Sequence, residues 1–79
     1  MKYTIISNKQ DEDMLYTEVK YEFESQDPVV VLIAHFQPKS VEAVLEGIVN
    51  RGMTEERKLS AKSTIENIVS DLPKEAQEI

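Results

Sequence analysis

The side chains from which chemistry could be built are His35, the acidic run Asp11-Glu12-Asp13, and the glutamates Glu18, Glu22 and Glu24. His35 is the single histidine and lies inside the apolar run Val29 to Phe36. That setting reads as a core or interface histidine rather than a general base. The acidic run offers oxygen ligands to Mg²⁺ or Ca²⁺. The residues after it lack the glycine and twelfth-position glutamate of an EF-hand loop. Glu22 and Glu24 could divide acid and base roles only in an apolar pocket that drove their pKa values apart, and nothing in the flanking sequence suggests one. The chain has no Cys, hence no thiol nucleophile, disulfide or thiolate-bound metal. No Ser stands in a Gly-x-Ser-x-Gly turn, and Gly47 and Gly52 do not form a phosphate-cradling loop. The expectation is a non-enzymatic protein with no catalytic residue, no cofactor, no metal and no small-molecule substrate.

With 79 residues, 41% of them hydrophobic and 30% charged, the chain has the balance of one small globular domain. Fifteen acidic against nine basic residues give a net charge of −6, which weighs against nucleic-acid or anionic-membrane binding. The longest apolar run is Val29 to Ala34, far short of the roughly 20 residues of a membrane helix. The first residues lack the apolar segment and cleavage site of a signal peptide. A cytoplasmic location is expected.

The elements follow from periodicity. Lys2 to Ser7 reads as a strand rich in β-branched and aromatic residues, and Asn8 to Asp13 as a loop. Residues 14–24 alternate: Leu15, Thr17, Val19, Tyr21 and Phe23 face one side, and Tyr16, Glu18, Lys20, Glu22 and Glu24 the other. Ser25 to Pro28 makes a turn, and Val29 to Phe36 a third strand. Ser40 caps a helix that carries Val41, Val44, Leu45, Ile48 and Val49 on one stripe. Gly52 is placed to end it. Thr54 then starts a second helix with Ala61, Ile65, Ile68, Val69 and Leu72 on its own stripe, ended by Pro73. The expected fold class is α+β: a three-stranded antiparallel sheet followed by a two-helix hairpin on one face (β-β-β-α-α). Residues 1–73 form the domain and 74–79 a frayed tail.

The third strand breaks the pattern of a sheet with one wet face. Val29, Val31 and Ile33 point one way, and Val30, Leu32, Ala34 and Phe36 the other. Ile5 and Ile6 likewise lie on opposite faces of the first strand. The helices can shelter one face, so the second needs another cover. The candidate interface is Val30, Leu32, Ala34 and Phe36 with Ile6, and the expected function is a protein-interaction or regulatory module that self-associates there, as a homodimer. The alternative is an acidic, inhibitor-like protein that docks on a basic partner through Asp11, Glu12, Asp13, Glu18, Glu22 and Glu24. As a plain solvated face, that set would keep the protein soluble and blunt sheet aggregation. Arg57, Lys58 and Lys62 near the start of the second helix superficially match a helix-turn-helix, but Glu55, Glu56 and Glu66 offset them. Nucleic-acid binding is therefore the least favoured reading. Gly47 and Leu59 lie off the apolar stripes and read as tolerated surface positions.

Overall fold

A computed structural model describes all 79 residues, Met1 to Ile79. Strands β1 (Lys2–Asp11), β2 (Met14–Glu22) and β3 (Val29–Phe36) precede one helix, α1 (Val41–Asp71). The sheet is antiparallel in the order β1-β2-β3, so β1 and β3 are both edges.

The expected two-helix hairpin is corrected to a single continuous helix of 31 residues. Ser40 caps it as expected, its Oγ accepting from the Ala43 N–H at 3.1 Å. Gly52 does not end it: its φ is not positive and its amide stays inside the helix. Thr54 is not a cap either, since its hydroxyl donates back to the Asn50 carbonyl at 3.2 Å. The supposed break, Asn50 to Lys58, is instead held by side chains one turn apart. Arg51 donates to Glu55 at 2.9 Å, and Lys58 reaches the same carboxylate at 3.4 Å. Arg, Met, Glu and Lys in this stretch are all good helix formers, so local preference also favours continuity.

The first hairpin also differs from expectation. β1 continues through Asn8–Asp11, which the sequence marks as loop, and only Glu12 and Asp13 form the turn. Glu12 takes the left-handed φ of 56° that this tight reversal needs. Asn8 to Asp11 are polar because this edge is solvent-exposed, and their pairing with Met14 to Thr17 is made by backbone alone. The register slips between Ile5 and Ser7, leaving Ile6 in a bulge. β2 ends at Glu22, two residues short of expectation, and Phe23 stacks on Tyr21 with ring centroids 6.3 Å apart.

The core is small. Val19, Tyr21, Val31, Ile33 and Ile48 form it, with Phe23, Val29, Val44 and Leu45 around its margin. These are the inward residues that the alternation of β2 and β3 assigns. Tyr21 ties the layers together: its hydroxyl, buried against α1, donates to the Ile48 carbonyl at 2.6 Å. One turn later, Gly52 lets the helix approach so closely that an added Cβ would stand 2.6 Å from Met1 Sδ and 2.7 Å from Tyr21 Cε1. Gly47 is different, since a Cβ there would meet only the His35 ring at 3.7 Å.

The two glycines therefore respond to alanine with opposite signs. Gly47→Ala gains helix preference without a clash and raises the unfolding free energy by about 0.5–1 kcal/mol. Gly52→Ala overpacks the Tyr21 contact and lowers it, with a net loss on the order of 1–2 kcal/mol. Urea titrations of the two variants check this, and a stabilised Gly52→Ala chain would remove the close-packing account.

Candidate functional site

The candidate site is built on β3, whose residues alternate between two very different environments. Val31 and Ile33 are buried under α1, opposite Val19 and Thr17 of β2. Their neighbours Val30, Leu32 and Phe36 stand on the far face, 56%, 64% and 68% exposed, with Ala34 exposed between them. The row lies beside the outer residues of β2, pairing Phe36 with Met14, Ala34 with Tyr16, Leu32 with Glu18 and Val30 with Lys20. One end of the surface is thus apolar (Phe36, Met14, Ala34, Tyr16), and charge enters toward the other. No other element of the chain crosses this face. Because β3 is an edge, its outer backbone groups lack a neighbouring strand as well.

Ile6 does not join this row. It lies on β1, at the opposite edge of the sheet, and the outer positions of β1 paired to β2 are the polar Lys2, Thr4, Ser7 and Lys9. The bulge at Ile6 is what a reading by strict alternation cannot place. The apolar face is therefore that of β3 and its β2 neighbours, not of β1 and β3.

The acidic residues are spread along the sheet. Asp11, Glu12 and Asp13 sit at the tip of the first hairpin, where Asp13 accepts from the Gln37 side chain at 3.3 Å. Glu18 lies at the centre of the outer face, between Ser7 and Leu32. Glu22 lies four residues further, roughly 13 Å away, within 4.0 Å of Lys20 Nζ, and Glu24 follows the strand. No three His, Asp or Glu side chains gather as a metal-binding group.

His35 is on the helix-facing side of β3, half-buried, with Nε2 2.9 Å from the hydroxyl of buried Thr17. Burial lowers its pKa below the ordinary 6.5. Burial also raises the Tyr21 phenol, which keeps it protonated as the hydrogen-bond donor to α1. The Glu55 carboxyl is held low, first by its hydrogen bond from Arg51. Leu59 is half-buried rather than a bare surface leucine, and lines a groove with Met1, Phe23 and Glu56.

A second uncovered apolar surface is one that the sequence reading did not single out as such. Beyond Leu59 every residue of α1 is exposed, including Ile65, Ile68 and Val69, and these and the C-cap Leu72 are each more than half exposed. Their spacing carries the signal of an apolar stripe, which fits a helix folded back on the sheet equally well.

No helix is long and apolar enough to cross a membrane. Comparison of the chain with protein-family models, with curated proteins and with solved structures finds no match.

The lowered pKa of His35 sets a pH dependence. Its protonation favours the unfolded chain, where the pKa is near 6.5. Stability is full above that value and falls as the pH drops from there through the lower folded value. The loss tied to Glu55 begins only near its ordinary 4.5 and below, so the windows separate. The melting temperature of the native chain should fall as the pH drops below about 6.5 while still above the Glu55 range, and His35→Gln should flatten that slope. Equal slopes in the two proteins would show that His35 does not carry it.

Proposed function

We propose that the protein is a small non-enzymatic interaction module that works as an assembly of its own copies, joined through the apolar outer face of β3, and that it acts in the cytoplasm. The single observation that carries this reading is surface that the chain leaves open. A folded monomer of 9.0 kDa is expected to expose about 4,900 Å², whereas this chain exposes 6520 Å². The excess, roughly 1,600 Å² per chain, is more than the ~800 Å² that each partner contributes to a standard stable interface. The radius of gyration, 18.0 Å, likewise exceeds the roughly 12 Å of a compact domain of this length. Seven buried residues are a thin core for a domain without disulfide or metal, and association is the remaining way to enlarge it.

A second copy suits the β3 face because an apolar row flanked by a free strand edge is self-complementary, as a two-fold contact requires. Burying Val30, Leu32 and Phe36 contributes roughly 1.5–3 kcal/mol each. The acidic residues, spread from hairpin tip to strand end with Lys20 among them, favour a solubilising role.

Replacing Leu32 and Phe36 together by Asp should weaken association at least about hundred-fold, read by sedimentation velocity on the order of 10–100 μM. The fold should persist, because neither side chain belongs to the core. Unchanged sedimentation of the doubly substituted chain would overturn the β3 interface.

A further inference from the structure

We infer that the projecting half of α1 pairs with the same segment of a second copy, antiparallel, as a contact separate from the β3 face. This deepens the self-association reading and rests on it for the partner's identity. The observation behind it is a change of phase along one helix. At 100° per residue, Val44, Leu45, Ile48 and Gly52 centre on the direction of the sheet. Ala61, Ile65, Ile68, Val69 and Leu72 centre roughly 130° away from it. The second stripe therefore faces away from its own sheet as well as lying beyond it. A helix laid along this stripe meets no strand of the first copy.

The spacing of the stripe fits a helix of its own kind. Ala61, Ile65, Ile68 and Leu72 recur at intervals of four, three and four, the a/d pattern of a two-helix seam. Antiparallel pairing about a two-fold axis between residues 66 and 67 sets Ile65 against Ile68 of the second copy, and small Ala61 against large Leu72.

Charge selects this orientation. Arg57, Lys58 and Lys62 lie at the start of the projecting segment beside Glu55 and Glu56, with Lys58 already paired to Glu55; Asp71 ends the helix, and Lys74, Glu75 and Glu78 lie beyond it. Side by side in parallel, Lys58 would sit at the seam opposite its own copy, and Arg57 would flank Lys62. Antiparallel, those like-charge encounters are avoided and Lys62 of each helix comes level with Asp71 of the other. The area left exposed exceeds what one standard contact uses, so two contacts per chain can be accommodated. Two different two-fold contacts on one chain build particles larger than a pair, closing at four copies where the axes cross at right angles.

Sedimentation velocity on four proteins tests this: the native chain, Ile65→Asp with Ile68→Asp, Leu32→Asp with Phe36→Asp, and all four substitutions combined. The native chain should exceed a pair, each double variant should fall to a pair, and the combined variant to a single chain. The packed core should persist in all four, since none of these side chains belongs to it, while the two proteins carrying Ile65→Asp and Ile68→Asp should lose helical circular dichroism from the projecting half of α1. If the Ile65/Ile68 variant sediments like the native chain, or the native chain is a monomer, the helix pairing is overturned. A native pair that the Ile65/Ile68 variant dissociates, and the Leu32/Phe36 variant does not, supports the helix contact while removing the β3 contact. Orientation is read separately in this cysteine-free chain by oxidising a mixture of Ile65→Cys and Ile68→Cys proteins. Bridges joining the two different proteins should predominate, and bridges between identical proteins would overturn the antiparallel arrangement.

Discussion

A helix of 31 residues spans about 46 Å, whereas the eight residues of β3 beneath it span about 26 Å. That mismatch in length governs the rest of the structure. Because α1 does not turn back at Gly52, the sheet receives the helix stripe of Val44, Leu45, Ile48 and Gly52 and nothing more. The second stripe is carried clear of the sheet, and no further segment remains to cover the outer face of β3. The second stripe would close on the sheet if the helix broke where its glycine allows, whereas the outer face of β3 would stay open, because two helices on one face leave the other bare.

What keeps the helix whole is local, and what seats it is close packing. Glu55 receives both Arg51 and Lys58 across the region where a break would fall. Each such pair is individually weak on an exposed helix, but here they act on a stretch that already prefers helix. At the same point Tyr21 and Gly52 hold α1 against the sheet, the phenol bonding to a helix carbonyl and the absent side chain admitting the ring. A turn at Gly52 would require this buried residue to leave the contact. The glycine that permits a break is therefore committed to a position where breaking costs core packing.

Much of the sheet was legible in the sequence because period two is a direct readout of burial. Thr17, Val19 and Tyr21 alternate into the core, and Val31 and Ile33 do the same on β3. The two-sided character of β3 was legible for the same reason, since its outward residues are apolar where water should make them polar. Asn8 to Asp11 escaped because an edge strand held by backbone pairing leaves no side-chain signature. Ile6 escaped because a bulge changes which face a residue takes without changing its type. The two-helix hairpin was the largest error. A glycine followed by a threonine and two glutamates marks an end and a new start as well as it marks a tolerated interior, and the choice depends on a ring 2.7 Å from the missing Cβ. The acidic candidates, equally visible as residues, proved to be spread over a hairpin tip, a strand centre and a strand end.

The change of phase along α1 then bears on how folding and association are linked. In a monomer, the stripe of Ile65, Ile68, Val69 and Leu72 gains nothing from being ordered, and an isolated projecting helix of this length is marginal in water. The same residues would stabilise the helix once a partner buried them, so in the proposed assembly part of the order of α1 would come from association. The β3 face behaves likewise, since its outward side chains raise the free energy of the lone chain by their exposure. If copies associate as proposed, each contact between them would also contribute to the stability of the fold and make that stability dependent on concentration. A thin core of five hydrophobic residues is consistent with a chain whose remaining apolar surface is completed from outside, with association supplying what a hairpin of two helices would have supplied internally.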